Sequence, residues 1–356
     1  MVNELSVQID VKEMRIAIMM TAPADVYFYG IIAKELERHG HDVSIFIRDY
    51  GNTRRLAELM NLNNRVFSKP PVSRFGKIFS APLEIILAIK SLREFKPNIV
   101  LGGGFFGALP ARFHNAKFIE FLDGEPGINL FYSIQRKCYA PFVNKIITPT
   151  SFIEDLGPKH LRVNSFKELG YLKPGCYNPN ENIFELLGIG KDNDFIVIRF
   201  NAFDAVHDIG ISSMIDEKIK MVNELAEKTR VFLSCEGDIP RELERYELKI
   251  PMNRIHDVLF YAKLVITETG TMTTEAACLG TPVILIHPKA RSFGNFRELE
   301  DRYGLIFTFE ENLNKVQVKA LELLRDPNTK SIWKEKLAIM LNDKVDFVDF
   351  IIRIIE

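Results

Sequence analysis

The sequence predicts an α/β protein with two similar domains, each built on a parallel sheet that helices cover on both faces. The chain has 356 residues, and roughly 100 to 200 residues per domain gives two domains. Short apolar runs alternate with helical segments along the chain, as in open parallel sheets. Turn-forming residues cluster near the middle, at Pro174–Glu181, and divide this alternation into two halves.

The first half begins with an apolar run at Met14 that predicts a buried strand, and the break TAPAD follows it. The next segment has apolar residues at helical spacing and ends at Gly40, a residue that favours helix ends. Further strands are predicted at HDVSIFIRD, PNIVLGGG, KFIEFLD and NKIITPT, with helices at LAELMNL and PLEIILAIKSLREF. These elements predict a first domain over residues 1–178.

The second half repeats the pattern. Strands are predicted at DFIVIRF, RVFLSCEG, KLVITET and PVILIHP, with helices at IDEKIKMVNELAEK, before KLVITET and at TTEAACLG, and a short element at ERYELKIP. A second domain over residues 179–335 follows from this. The remaining segment, 336–356, ends in a helix with an apolar stripe at Val345, Val348, Ile352 and Ile355, which we expect to pack back towards the first domain. Two Rossmann-like domains facing a cleft are therefore expected, with ligands at the carboxyl ends of the strands.

The composition is that of an ordinary globular protein. Lys and Arg number 46 against 47 Asp and Glu, a net charge of -1, so a protein that coats nucleic acid is disfavoured. The four cysteines form no C-x-x-C pair, which argues against a zinc ribbon or a disulfide framework. The N-terminal segment lacks the features of a secretory signal, and no apolar run is long enough to span a bilayer. We expect a cytoplasmic protein, as a monomer or homodimer.

The segment Leu264–Pro288 carries the strongest chemical signal. A strand ends before the small-residue turn Thr269, Gly270 and Thr271, and a helix then begins that includes Met272 and Glu275. Free backbone N–H groups at such a helix N-terminus can cradle a diphosphate, and a carboxylate one turn further can accept from ribose hydroxyls. The alternative is a threonine-rich helix cap with Glu275 in solvent.

This segment resembles the nucleotide-sugar loop of GT-B glycosyltransferases and of the related non-hydrolysing UDP-N-acetylglucosamine 2-epimerases. From Thr269 to Val283 the epimerase register fits without a gap. NIVLGGGFFGALPA and FLDGEPGIN sit where the undecaprenyl-pyrophosphoryl-muramoylpentapeptide N-acetylglucosaminyltransferase has a glycine loop and a polar loop. The whole chain, including RFNAFDAVHDIG and FKELGYL, is most similar to an uncharacterised, largely archaeal GT-B-like family. The resemblance implies GT-B architecture and a UDP-sugar substrate, with no cofactor and no metal.

The first-domain loops are the expected acceptor side, through Gly103, Gly104 and Glu125. The run from Gly102 to Gly107 also satisfies a dinucleotide fingerprint, but it follows the third or fourth strand rather than the first. A tight packing turn is the other alternative. Asp25, in the first β–α loop, is either a helix N-cap or a base that removes a proton from an acceptor hydroxyl. The similar transferase has a histidine there, so Asp123 and Glu125 compete for the same role.

Arg199 ends the first strand of the second domain, and His207 follows in the same loop. Beside the Gly270 turn, the guanidinium could stabilise a diphosphate leaving group, or it could form a strand-end salt bridge. A metal pair from His207-Asp208 and His256-Asp257 is disfavoured because helical ligand spacing is lacking. His256 is expected either to line the nucleotide end of the cleft or to cap the helix DVLFYA. Glu236-Gly237 is read first as a plain turn, with a position near the nucleotide as the other interpretation.

The leading hypothesis is a glycosyltransferase that uses a nucleoside diphosphate sugar and a lipid-phosphate or glycan acceptor. The first alternative is a UDP-sugar 2-epimerase, although its His-Arg-Arg-Glu-Asn stretch is replaced here by RFNAF from Arg199 onwards. The second alternative is a nucleotide-sugar-binding module without turnover. The basic stretch Lys69–Lys77 also suggests a peripheral contact with anionic lipid, with a solvated face as the alternative.

Overall fold

A computed structural model describes residues 13–71, 74–125, 130–201, 203 and 211–356. The strands are β1 (Arg15–Met20), β2 (Asp42–Arg48), β3 (Asn64–Ser68), β4 (Ile99–Leu101), β5 (Lys117–Phe121), β6 (Lys145–Pro149), β7 (His160–Val163), β8 (Phe195–Phe200), β9 (Arg230–Cys235), β10 (Leu264–Thr267), β11 (Val283–Ile286) and β12 (Ile306–Phe309). The α-helices are α1 (Pro23–Arg38), α2 (Thr53–Leu59), α3 (Arg74–Leu92), α4 (Phe105–Phe113), α5 (Leu130–Tyr139), α6 (Leu169–Leu172), α7 (Ile183–Leu186), α8 (Ile211–Ala226), α9 (Ile255–Tyr261), α10 (Gly270–Cys278), α11 (Gly294–Arg297), α12 (Leu313–Arg325), α13 (Thr329–Asp343) and α14 (Phe347–Ile355).

The strands form two separate parallel sheets. The first has seven strands in the order β3-β2-β1-β4-β5-β6-β7, and the second has five in the order β12-β11-β10-β8-β9. Each order reverses direction once, between β1 and β4 in the first sheet and between β8 and β10 in the second. Such switch points leave a crevice beyond the carboxyl ends of the strands, where ligands bind in this architecture. The predicted pair of parallel-sheet α/β domains is confirmed.

The burial of each strand's side chains explains whether the strand could be predicted from the sequence. In β1, Ile16 to Met20 are fully buried, since helices cover both faces of a central parallel strand and make it apolar throughout. The strands β3, β7 and β12 were not predicted from the sequence. The first two lie at the edges of the first sheet, and β12 lies at one edge of the second. Each exposes or half-exposes most of its residues, so none produces a continuous apolar run.

The two sheets are joined by a segment without regular strands. Residues 164–194, all of them described, hold only the short helices α6 and α7. Residue 178, the predicted domain boundary, lies in the loop between these helices. Residue 336, the predicted start of the C-terminal segment, lies inside α13.

The C-terminal helix α14 packs on the first domain. The Phe347 ring lies 5.3 Å from the Phe28 ring of α1 and 5.1 Å from the Phe121 ring of β5, measured between centroids. Val348 is buried as the apolar stripe predicted, whereas Val345 precedes the helix and is exposed. None of the helices in the described part of the chain combines the length and apolar character needed to cross a bilayer.

Candidate functional site

Two small cavities lie beyond the carboxyl ends of the strands. The junction cavity, of about 200 Å³, lies between the domains and is lined by Asp123, Gly124, Glu168, Gly270, Thr271, Thr274, Phe293, Asn295 and Phe296. The switch-point cavity, of about 120 Å³, lies where β1 and β4 diverge and is lined by Thr21, Ala24, Asp25, Phe28, Tyr29, Gly103, Gly104, Glu120, Phe121, Asp123 and Lys167. Asp123 lines both, so the two cavities adjoin at the domain interface.

The N-terminus of α10 faces the junction cavity with unused donors. The Thr267 hydroxyl accepts from the Thr269 amide at 3.0 Å and thereby fixes the turn before the helix. The helix has no side-chain cap, and no described residue accepts from the amides of Gly270, Thr271 or Met272. A Cβ on Gly270 would lie 2.8 Å from Cζ of Phe296, so the close approach of that ring requires glycine. The turn thus has the open donors that an anion site needs.

Glu275 lies one turn further along α10. Contrary to the prediction, its carboxyl group is not open to the cavity. It is buried, and its Oε1 accepts from the Tyr171 hydroxyl at 3.0 Å and lies 3.0 Å from Nε2 of His256. The Tyr27 ring of α1 covers His256 at a centroid distance of 4.3 Å. Burying a carboxylate requires such partners. In this arrangement Glu275 and His256 join the domains, and a ribose could reach them only if Tyr27 moved away.

Asp25 lies in the first turn of α1, where Ala22 is the N-cap residue, so the N-cap alternative for Asp25 is wrong. Its Oδ2 accepts from the amides of Thr21 at 2.7 Å and Ala22 at 2.9 Å, and from the Thr21 hydroxyl at 3.2 Å. These bonds anchor the loop at the start of α1. No described residue donates to Oδ1, which belongs to a side chain that lines the switch-point cavity. Burial raises the pKa of Asp25 even though the nearby Lys167 opposes the shift, and a raised pKa makes the carboxylate a stronger base.

Glu120 is a site residue that the sequence analysis missed. It lies on β5 and is buried, and its Oε2 accepts from the Gly104 amide at 2.8 Å. Burial, with a smaller contribution from Asp25, raises the pKa of Glu120 to about 8, so the carboxyl holds a proton at neutral pH. The sequence did contain a signal for this residue, a single glutamate inside the apolar strand KFIEF. A carboxyl group without a cationic partner is rarely buried unless it has a role in a site.

The glycine loop before α4 is shaped by packing. Gly102, Gly103 and Gly104 all have positive φ, and a Cβ on Gly103 would lie 2.6 Å from Cβ of Met19. The Gly102 amide donates to Ile119 O and the Gly104 amide to Glu120. A carboxyl group therefore already occupies the position that a phosphate would take at the start of α4, which disfavours both the dinucleotide and the acceptor-phosphate interpretations.

The boundary between the cavities carries a second charged group. Asp123 forms an ion pair with Lys167. Burial acts against the Lys167 charge, but the carboxylates of Asp123, Glu168 and Asp25 outweigh it and raise the pKa of Lys167. Burial also raises the pKa of Glu168 to about 8, with Lys167 opposing that shift. Lys167 and Glu168 belong to the segment FKELGYL, which contributed to the family resemblance, but neither was predicted as a site residue. Their role depends on contacts with distant segments of the chain.

Glu125 joins the domains and lines neither cavity. Its Oε1 accepts from the Gly294 amide at 2.9 Å and the Ile153 amide at 3.3 Å, and burial raises its pKa. Beside it, Asn295 accepts from the Ser151 hydroxyl at 2.6 Å and donates to Asp123 O at 3.2 Å. The predicted acceptor-side role is therefore replaced by a contact that holds the cleft closed.

Arg199 does not reach the Gly270 turn. Its guanidinium donates to Oγ of Ser234 at 2.7 Å and to Oε1 of Glu236 at 3.1 Å, which is the strand-end salt bridge considered as the alternative. Gly237 lines a separate cavity of about 450 Å³ beside β9, the edge strand of the second sheet. That cavity is larger, but it shares no residue with the two at the domain interface.

His207 and Asp208 lie outside the described residues, so the structure does not place them. Of the second predicted pair, His256 bonds to Glu275, and Asp257 accepts from Tyr177 at 2.5 Å. Within the described residues, no group of three His, Cys, Asp or Glu side chains is arranged to hold a metal ion.

The family assignment rests on a match over most of the chain. The model of the family described as "Protein of unknown function (DUF354)" matches residues 14–348. The chain belongs to the DUF354 family. Among curated proteins it is similar to the uncharacterised protein MJ0665 of Methanocaldococcus jannaschii, with 22% identity over 288 residues, which are 76% of this chain and 81% of that protein. The resemblance to an uncharacterised, largely archaeal GT-B-like family is thereby confirmed.

Solved structures with the same architecture include epimerases and glycosyltransferases. The structure of S. aureus MnaA with UDP has a TM-score of 0.68 at 14% identity and covers 94% of each chain. The Methanocaldococcus jannaschii UDP-GlcNAc 2-epimerase, in complex with UDP-GlcNAc and UDP, has a TM-score of 0.65 at 17% identity, covering 92% of this chain and 99% of that one. The glycosyltransferase SnogD from Streptomyces nogalater has a TM-score of 0.62 at 16% identity, covering 97% and 99%. These similarities establish the GT-B fold of this DUF354 protein.

The predicted site residues that the structure of this DUF354 protein describes, which leaves out His207, separate into three groups. Those at the two cavities are Asp25, Gly103, Gly104, Asp123, Gly270 and Thr271, with Thr269 and Met272 in the adjacent turn. Those that bind the domains together are Glu125, His256 and Glu275. Those beside β9 are Arg199, Glu236 and Gly237.

Proposed function

We propose that this DUF354 protein is a glycosyltransferase that uses a nucleoside diphosphate sugar, preferably a UDP-sugar, as donor and a hydroxyl-bearing glycan or lipid-linked acceptor. One observation carries the proposal: no described residue accepts from the amides of Gly270, Thr271 or Met272, and this helix start adjoins a cavity that Asp123 and Glu168 also line. The amides suit a diphosphate, and the carboxyl groups suit sugar hydroxyls. Complexes of proteins with the same fold that contain UDP or UDP-GlcNAc support the choice of donor.

The chain's own residues supply the steps of transfer. The helix dipole of α10 stabilises the diphosphate as negative charge develops on it. Oδ1 of Asp25 accepts the proton of the acceptor hydroxyl while that oxygen bonds to the anomeric carbon and the bond from that carbon to the diphosphate breaks. The closed cleft excludes water, which would otherwise compete as acceptor. Arg199 could assist only after releasing both Ser234 and Glu236.

A second candidate, a UDP-sugar 2-epimerase, is favoured by the pairing of groups on the junction cavity. Epimerisation needs one group to remove the C2 proton and another to return a proton from the opposite face. Glu168, with its pKa near 8, and the ion-paired Asp123 both line that cavity. Several of the structures with the same fold are UDP-GlcNAc 2-epimerases.

Incubation with a panel of sugar nucleotides, followed by NMR of the sugar signals, tests the proposal. Free UDP that appears only when a glycan or a lipid-linked glycan with free hydroxyls is added supports transfer. Inversion at C2 without acceptor supports epimerisation. Stabilisation by UDP-sugars with neither change would overturn both and leave a binding module.

An Asp25→Asn variant tests the proposed base. We expect kcat for transfer to fall by about 10² to 10⁴ while the affinity for UDP-sugar stays unchanged, because Asp25 lines the switch-point cavity and not the junction cavity. The exposed residue Asp42 provides a matched control, Asp42→Asn. Equal kcat values for the two variants would exclude Asp25 as the base.

A further inference from the structure

Helix α3 exposes an apolar stripe. Phe79 is 81% exposed, Leu83 59% and Ile86 49%, and Pro82 between them is also exposed. These positions are spaced by three or four residues, so their side chains share one face of the helix. A surface helix normally directs that kind of stripe into the core.

The opposite face of α3 shows that this orientation is fixed. Glu84 is 3% exposed, and its carboxylate accepts from Nε of Arg48 at 2.7 Å, Oγ of Ser68 at 2.9 Å and Oγ of Ser80 at 2.6 Å. A buried carboxylate with these partners cannot leave its site without a large loss of free energy. The helix therefore buries its acidic residue and presents its apolar residues to the outside.

The neighbouring helix α4 extends the apolar surface. Phe113, at the end of α4, is 67% exposed. The adjacent His114 bonds through Nε2 to Ile89 O of α3 at 2.8 Å, which holds the two helix ends together. We call the surface formed by Phe79, Pro82, Leu83, Ile86 and Phe113 the α3–α4 patch.

The charged side chains that α3 and α4 expose, among those the structure describes, are cations, although the whole chain has a net charge of -1. Among the described side chains of α3 and α4, the exposed charged residues are Lys90 and Arg112. The acidic residue of these two helices, Glu84, is buried. Cations beside exposed aromatic and aliphatic side chains are the combination that binds the interface of an anionic membrane.

We propose that the α3–α4 patch docks on the surface of an anionic lipid membrane. The apolar side chains enter the boundary between headgroups and acyl chains, and Lys90 and Arg112 approach the lipid phosphates. Helix α3 follows β3 in the chain, so its N-terminal end lies on the side of the sheet where the strands have their carboxyl ends. The switch-point cavity lies on the same side. Docking would bring that cavity near the bilayer. The proposal does not depend on the sugar chemistry proposed above.

Flotation of the full chain with vesicles tests the proposal. We expect binding to vesicles of 70% phosphatidylcholine and 30% phosphatidylglycerol, weaker binding to pure phosphatidylcholine, and weakening by salt. The double variant Phe79→Ser/Leu83→Ser should lower the partition coefficient about tenfold or more. Val318 and Ile339, which are 68% and 63% exposed on other helices, provide the control Val318→Ser/Ile339→Ser, which should bind like wild type. Circular dichroism melts check that both variants are folded.

Three results would overturn the proposal. The first is absence of vesicle binding by the wild-type chain, and the second is equal loss of binding in the patch and control variants. The third is a dimer in sedimentation velocity that Phe79→Ser/Leu83→Ser dissociates while vesicles do not bind, because the patch would then be covered by a second copy. A Lys90→Gln/Arg112→Gln variant should lose the preference for phosphatidylglycerol, and a retained preference would contradict the role given to these cations.

Discussion

The backbone of Gly294 lies against the other domain, and an alanine at this position should force the cleft open. A Cβ on Gly294 would lie 1.7 Å from the carbonyl oxygen of Ser151 and 3.0 Å from Oε1 of Glu125. Carbon and oxygen need about 3.3 Å between them, and the nearer atom belongs to the backbone, so a rotamer change cannot relieve the clash. The two segments would have to separate by roughly 1.5 Å.

That separation would break the three hydrogen bonds that connect the domains at this point. They are the bonds from Gly294 N to Glu125 at 2.9 Å, from Ser151 to Asn295 at 2.6 Å and from Asn295 to Asp123 O at 3.2 Å. A bond to a carboxyl group contributes about 1.5 to 3 kcal/mol when the group is charged, and a neutral bond about 1 kcal/mol. We therefore expect Gly294→Ala to cost about 3 to 5 kcal/mol of closed-state stability.

Urea unfolding and small-angle scattering measure the two ways in which this cost can appear. If the domains stay together, the free energy of unfolding falls by that amount; if they part, the radius of gyration increases. Gly124→Ala is the matched control, because its Cβ would meet only Cε1 of Phe293 at 4.0 Å, an ordinary contact. A Gly294→Ala protein as stable and as compact as Gly124→Ala would refute the reasoning.

Three further predictions concern single sites. Between pH 4.5 and about 8, the folded state keeps a proton on Glu120 that the unfolded chain loses. The free energy of unfolding should therefore fall as the pH rises through this range, by up to about 1.4 kcal/mol per pH unit. Glu120→Gln should remove this pH dependence in urea titrations, and an unchanged pH dependence would contradict the raised pKa of Glu120. Gly270→Ala should push the Phe296 ring, 2.8 Å from the new Cβ, into the junction cavity and weaken UDP binding about tenfold in calorimetry; unchanged affinity would argue against a diphosphate site. Arg48→Ala should lower the free energy of unfolding in urea by about 3 to 5 kcal/mol, because Glu84 stays buried without its cation. The double variant Arg48→Ala/Glu84→Gln should recover part of that loss. No recovery would mean that the loss comes mainly from packing.

The sequence predicted the elements whose environment is uniform along their length. Central strands such as β1 and β10 are buried on both faces and therefore apolar throughout. The edge strands β3 and β7 pair on one side only, and nothing in their short, mixed patterns separates them from loops. The α10 turn was predictable for the same local reason, because its small residues, hydroxyls and helix start are adjacent in sequence.

The rest of the site depends on contacts that a single sequence does not display. Glu275 was expected to face a ligand, but Tyr171 and His256 hold its carboxyl group from other segments. Arg199 was expected beside the Gly270 turn, but its side chain leaves the sheet towards β9. Glu120 stood out in the sequence as a carboxylate in an apolar strand. Its role, however, depends on which loops cover it in the fold, and the sequence does not show that.

The distribution of charge across the cleft constrains how a nucleotide sugar could bind. The second domain offers the positive end of the α10 dipole and amides from which no described residue accepts. The first domain offers Asp25, Glu120, Asp123 and Glu168, and Lys167 is ion-paired with Asp123. A diphosphate on the first-domain side would lie close to the Asp123 carboxylate, which is unfavourable in a site of low dielectric. A neutral sugar ring suffers no such repulsion and can donate hydroxyl hydrogens to the same groups. A nucleotide sugar should therefore bind with its diphosphate on α10 and its sugar towards Asp123, which brings the anomeric carbon to the side of the cleft where Asp25 can act on an acceptor.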